Sequence, residues 1–177
     1  MPKGRRGGSC AVTATGSDIY IFDGETSSQS VFGGYYNCSI DVFDTGSPFT
    51  WKTDINIRDM PDERYYATSV LLKGKYLVII GGRDKYGGLT ASCFICDLSS
   101  NLWSSTPKSM DMIKARLYHT AEVLDGKIVV FSGSDQFNEN ILASMEFIEV
   151  DALLEYSPLH YPLPSWIFKR ILEIGKV

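Results

Sequence analysis

Few side chains in this 177-residue chain have the type and spacing to do chemistry, and each places a condition on the backbone that carries it. Cys93-Phe94-Ile95-Cys96 has the CxxC spacing of redox and zinc sites. The pair lies within SCFICDL (92–98), a short apolar run that reads as a strand. Residues three apart on an extended strand point to opposite faces, so these thiols can neither chelate together nor close a disulfide. Cys10 and Cys38 are isolated, which leaves all four cysteines as small core residues. The chain has only two histidines, His119 and His160, and no HExxH or GxSxG string. No catalytic residue, metal site or cofactor is expected.

The remaining charged candidates recur. Asp44, Asp97 and Asp151 each end an apolar run, which points to a turn or a local hydrogen bond and not to an acid–base pair. Arg6, Arg64 and Arg116 are 58 and 52 residues apart (64 − 6 and 116 − 64), and each precedes a glycine by a nearly constant distance. Gly24 follows by eighteen (24 − 6), Gly82 by eighteen (82 − 64) and Gly133 by seventeen (133 − 116). Trp51 and Trp103 are also 52 apart (103 − 51). Three landmarks held in register define an internal repeat of about 50 residues. His119 stands three after Arg116, where the sibling copies carry Ser9 and Ala67, so a structural role is expected for it. The arginines likewise read as scaffold, bonding backbone carbonyls near a neighbouring unit.

The elements that position these residues are short. In the second copy four apolar runs, ATSVLL (67–72), KYLVII (75–80), SCFICDL (92–98) and LWSST (102–106), are separated by turn residues. All are too short for a typical helix. Four antiparallel strands per repeat make one blade of a propeller. Tyr76-Leu77-Val78-Ile79-Ile80 does not alternate, so both of its faces must be buried, as neighbouring blades would bury a central strand. Gly81-Gly82 then permits a sharp turn and close backbone approach.

An arginine, an apolar strand, an aliphatic run ending in GG, a strand ending in Asp and then Trp together resemble the kelch motif. The second copy is the fullest, with Arg64, Gly81-Gly82, Asp97 and Trp103. The first has Arg6, Gly24, Asp44 and Trp51, with Asp23 in place of the first glycine. In the third, Ser132 replaces the first glycine, and Leu153, Leu154 and Tyr156 occupy the region where Trp is expected. The resemblance implies an all-β, partial kelch-type propeller of three four-stranded blades and a role in protein–protein recognition, as scaffold or substrate-recognition module. In kelch propellers that bind peptides, the residue after GG and the residue two after the repeat arginine often line the contact face. Those positions are Arg83, Tyr66 and Tyr118, and an arginine flanked by tyrosines suits a carboxylate. The loops 25–39, 83–92 and 134–144 add Tyr35, Tyr36, Asp84, Tyr86 and Phe137 to the partner-binding set. No BTB or F-box segment is read in the chain. The alternative is a propeller piece of a galactose-oxidase-like or sugar-modifying enzyme; only His119 lies in the repeats, which leaves an oxidase copper site short of imidazoles.

Bulk composition sets the remaining limits. A 44% apolar and 21% charged chain is globular, and a net charge of −4 supports neither a nucleic-acid surface nor an anionic membrane as partner. The N-terminus MPKGRRGGSC precedes no apolar signal core, and no run is long enough to span a membrane, so a reducing cytoplasm is expected. Residues 1–157 divide into repeats at approximately 1–58, 59–110 and 111–157. In the tail 158–177, Pro158, Pro162 and Pro164 break the strand pattern, and Ser165 is placed to cap a short helix. Three blades are fewer than the four to eight of known propellers. Three explanations stay open: a piece of a longer protein, assembly with another copy or with further blades, and capping by the tail.

Overall fold

The computed structural model describes residues 6–13, 15–22, 24–26, 35–36, 40–52, 57, 60–136 and 140–149. Among these the repeats become three antiparallel sheets. The first is built from β1 (Ser9–Val12), β2 (Asp18–Phe22), β5 (Asp41–Asp44) and β6 (Thr50–Lys52), in that spatial order. Between β2 and β5 a small ribbon pairs β3 (Glu25–Thr26) with β4 (Tyr35–Tyr36). The second sheet runs β8 (Thr68–Leu72), β9 (Tyr76–Ile80), β11 (Cys93–Asp97) and β12 (Leu102–Ser105). In front of it, β7 (Arg64–Tyr65) pairs with β10 (Arg83–Asp84). The third sheet contains β13 (Thr120–Leu124), β14 (Lys127–Phe131) and β15 (Met145–Glu149). A 3-10 turn, Lys108–Met110, leads into it. The first strands of the three sheets are neighbours: β8 packs against β1 on one side and β13 on the other. The chain is therefore all-β, a partial propeller with its first strands innermost.

Two apolar clusters hold the blades together, and β9 belongs to both. Val78 and Ile80 join Val70, Leu72, Met112, Ile128 and Val130 between the second and third sheets. Leu77 and Ile79 join Ala11, Phe22, Met60 and Phe94 between the first and second. Successive side chains on a strand alternate faces, and here each face meets a different blade. Leu77, Val78, Ile79 and Ile80 are all at most 1% exposed, which accounts for the unbroken apolar run. Each contributes about 1.5–3 kcal/mol of burial. Cys93 lies in one cluster and Cys96 in the other, so the CxxC pair faces apart. Burial pushes the Cys96 thiol up to about 12, helped by the charge of Asp97.

The glycines after the second strands lie where blades touch. Gly82, at φ 86°, donates its N–H to the Arg116 carbonyl of the next blade at 2.9 Å, and a Cβ there would come within 2.8 Å of the Tyr65 carbonyl oxygen and the Ala67 amide. Gly24 repeats the bond to the Arg64 carbonyl at 3.3 Å. A Cβ on Gly81 would reach Met112 Cε at 2.5 Å and His119 Cε1 at 3.0 Å. Ser132, in the same register position, keeps the left-handed backbone at φ 56° and is exposed.

Strand register corrects one repeat landmark. Ser9, Thr68 and Thr120 pair with Phe22, Ile80 and Phe131, so they occupy equivalent positions. Counting back four residues reaches Arg64 and Arg116, but Arg5 in the first blade. Arg6 instead corresponds to Tyr65 and Leu117, and it is exposed where Arg64 and Arg116 are buried. The cause is hairpin length: the paired residues are separated by 13, 12 and 11 positions (22 − 9, 80 − 68 and 131 − 120). By the same register the counterpart of His119 is Gly8, not Ser9. Trp51 and Trp103 do coincide, facing Phe43 and Cys96 across equivalent pairs. Asp151, His160, the expected fourth strand of the third blade and the tail helix lie outside the described residues.

Candidate functional site

Each blade is entered through a corner where the chain leaves its crossing segment and joins the innermost strand. The corner residues are Gly7, Tyr66 and Tyr118, and all three have left-handed backbone, at φ 67°, 58° and 57°. That conformation is costly for a tyrosine and persists only when its surroundings fix it. Here they do. The Tyr66 amide donates to the Gly7 carbonyl at 2.8 Å, and the Tyr118 amide donates to the Tyr66 carbonyl at 3.3 Å. The rings follow the backbone. Tyr66 lies against Gly7, where a Cβ would be 2.5 Å from its ring, and Tyr118 packs on Tyr66 with centroids 4.5 Å apart. Tyr65 meets Tyr66 edge-on at 5.1 Å. The outermost ring of this ladder, Tyr118, is 49% exposed. Its phenol is raised by burial and by a hydrogen bond with Tyr66, against the opposing charges of Arg83 and Arg6.

Arg83 reaches this ladder from the loop after the paired glycines. Strand β10 sets it opposite Tyr65, and its guanidinium carbon lies 5.8 Å from the Tyr65 ring centroid. Arg83 Nε donates to the Gly87 carbonyl at 2.8 Å, which aims the side chain. Asp84 shapes the loop: its Oδ1 accepts from the amides of Tyr86 (2.9 Å) and Gly88 (2.8 Å). Tyr86, at the loop tip, is 85% exposed, with Lys85 Nζ 5.3 Å from its ring centroid. The structure thus gathers Arg83, Tyr66 and Tyr118, and adds Tyr65 to them. Asp84 is a loop-former beside the group, and Tyr86 extends into solvent. Tyr35 and Tyr36 are placed in β4 by their backbone alone, and Phe137 lies outside the described residues.

The repeat arginines support these corners from below. Arg116 is fully buried and forms an ion pair with Glu146, itself 3% exposed. Arg116 Nη1 also donates to the Ser132 carbonyl at 2.8 Å, and Glu146 accepts from the amides of Ile113 (2.7 Å) and Lys114 (3.3 Å). Arg64 has a different setting: it lies 4.6 Å from the centroid of Phe94 and donates to Ser92 Oγ at 2.7 Å and to Asp62 Oδ2 at 3.3 Å. Glu146 was not legible as a partner, because Phe94 and Asp41 occupy its register position in the other blades. The available signal was an acid inside the apolar strand MEFIE.

The other singled-out groups are structural. His119 is 5% exposed, and neither ring nitrogen has a hydrogen-bond partner among the described residues. Burial lowers it to about 4, the Arg116 charge adds to this, and the nearby Ile80 backbone opposes it, so the ring is neutral at pH 7. Asp97 accepts from the Ser99 amide (2.8 Å) and hydroxyl (2.6 Å) and pairs with Lys75 at 3.2 Å. Its burial favours the neutral acid but is outweighed by those partners, so its carboxyl is held below the usual range. Asp44 accepts from the Gly46 amide at 2.7 Å in the equivalent turn. No cluster of three or more His, Cys, Asp or Glu suited to a metal occurs among the described residues.

No curated protein matches the chain significantly. A family model does: the KLHDC2/KLHL20/DRC7 Kelch-repeats domain, over residues 1–152. Together with repeat corners that bond blade to blade through Gly24, Gly82 and the carbonyls of Arg64 and Arg116, that match means the chain belongs to the Kelch-repeat family.

Proposed function

We propose that the chain is a non-enzymatic recognition module that holds a protein or peptide segment at the tyrosine corner, with Arg83 receiving an acidic side chain. The observation that carries this is the half-exposed Tyr118 ring packed at a tilt against Tyr66, beside an arginine already aimed by Gly87. Rigid aromatic faces give contact area at little entropic cost, and a guanidinium pairs with carboxylates in a planar fork. Kelch-repeat propellers act generally as protein-interaction modules, and scaffold or substrate-recognition work is the finer proposal here. A cytoplasmic setting belongs to the same proposal, and it accords with free thiols at Cys10, Cys93 and Cys96. The enzyme alternative draws no support from His119, which is enclosed beside Arg116.

The test is a peptide library displayed against the immobilised chain. Peptides with Asp or Glu should be retained over their Asn or Gln counterparts, and Arg83→Ala should weaken retention about tenfold or more, as loss of a charge-assisted bond does. Its melting temperature should fall by no more than about 2–4 °C, as a loss within about 1 kcal/mol does in a chain of this size. Indifference to the acid-to-amide change would overturn the reading, and an equal loss of binding and melting temperature would make Arg83 structural.

A further inference from the structure

We infer that Tyr66 and Tyr118 form an oxidative modification site, at which a one-electron oxidant joins the two rings as a dityrosine and staples the second blade to the third. This goes beyond peptide recognition and does not depend on it.

Coupling needs two phenols held side by side, one of them open to the oxidant. The Tyr66 and Tyr118 ring centroids are 4.5 Å apart, with the planes inclined at 50°. The backbone keeps them there, since both residues are left-handed, at φ 58° and 57°, and the Tyr118 amide donates to the Tyr66 carbonyl. The two phenols also share a hydrogen bond. In a tyrosyl radical the unpaired electron is spread over the oxygen, the two Cε carbons and Cγ, and Cγ already carries the side-chain methylene. The Cε carbons flank the carbon that bears the oxygen, so a bond between the oxygens draws the reactive carbons together. Holding the partners in this way turns a bimolecular coupling into a unimolecular one. Tyr118 is 49% exposed, which gives the oxidant an entry point, while Tyr66 is half-buried against Gly7. Tyr65 meets Tyr66 edge-on at 5.1 Å but is only 7% exposed.

An outside haem peroxidase supplied with hydrogen peroxide provides the oxidant, and the step balances. Each phenol gives up one electron and its phenolic proton. A Cε–Cε bond forms, and the hydrogen on each joined carbon moves to its oxygen as the rings regain aromaticity. The two electrons and two protons released convert one hydrogen peroxide to two waters. The link closes 52 residues of chain (118 − 66) between adjacent blades. A cross-link of that span restricts the unfolded chain as a disulfide does.

The test treats the full 177-residue chain with a haem peroxidase and hydrogen peroxide, then digests the monomer with trypsin. Expected are the blue fluorescence of dityrosine and peptides 65–73 and 117–127 joined with the loss of two hydrogens, in a yield independent of protein concentration. The treated monomer should melt several degrees higher than the untreated one. Tyr66→Phe and Tyr118→Phe each keep the ring and should each abolish the joined pair, with far-UV circular dichroism as the check on folding. Tyr86→Phe, at a loop tip that is 85% exposed, should leave the pair intact. Absence of the joined pair from the wild-type monomer would overturn the inference, as would its survival in Tyr66→Phe, which would assign the link to Tyr65. A joined pair confined to dimers would overturn it in favour of contact between molecules, and an unchanged melting temperature would remove the staple.

Discussion

Arg64 and Arg116 occupy one register position in adjacent blades and are kept in place by different chemistry. Arg116 sits in a closed polar network with a carboxylate, Glu146, that also caps the amides of Ile113 and Lys114. Arg64 rests on the face of Phe94, and its acid, Asp62, is one-third exposed. Both anchor the corner leading to a tyrosine with a left-handed backbone. What the corner requires is thus a long side chain reaching polar groups below it, while its charge can be balanced either by a buried anion or by a ring and a partly exposed anion. The two solutions should differ in how badly they fail, since removing one member of a buried ion pair strands the other.

Arg116→Met should cost the most, about 3–5 kcal/mol, because Glu146 is left charged and enclosed. Chemical denaturation measures this, and a loss as small as that of Arg64→Met would erase the distinction. Next comes acid. His119 has Ala67 as its counterpart in the second blade, so only the third blade carries a buried imidazole. Its folded-state value of about 4 lies below the ordinary 6.5, so the unfolded chain takes up the proton first. The neutral ring's contribution is fully present above pH 6.5 and is lost as pH falls towards 4, by on the order of 3 kcal/mol. Urea midpoints across that window should fall for the wild type and flatten in His119→Leu. Asp97, also depressed, acts lower, below its ordinary 3.8. Arg64→Met should cost about 2 kcal/mol, the scale of charge-assisted bonds with one partly solvated partner. Smallest of all is Arg83→Ala, within about 1 kcal/mol, the scale of the bond to Gly87 and the distant contact with the Tyr65 ring.

The sequence made some of this visible and hid the rest for physical reasons. The second blade reads almost residue for residue: runs at 67–72, 75–80, 92–98 and 102–106 became strands Thr68–Leu72, Tyr76–Ile80, Cys93–Asp97 and Leu102–Ser105. A strand covered on both faces leaves an unbroken apolar run, and its short length between turn residues sets it apart from a buried helix. Arg6 was misassigned because spacing in sequence is not register in space, and hairpins of unequal length shift one against the other. Glu146 escaped because a search for recurrence discards a position filled by aspartate, phenylalanine and glutamate in turn. The tyrosine ladder was half visible. Tyr66 and Tyr118 could be picked by position, but the contact of Tyr66 with Gly7 and the tilted packing of Tyr118 on Tyr66 depend on backbone angles that no pattern of residue types encodes.

The alternation along Tyr76–Ile80 makes position parity a reporter of location. Isotope-labelled methyls at Leu77 and Ile79 would sense disturbance arriving from Phe22 and Ala11, while those at Val78 and Ile80 would sense it from Ile128 and Val130. Atoms one peptide bond apart would thus monitor opposite ends of the protein.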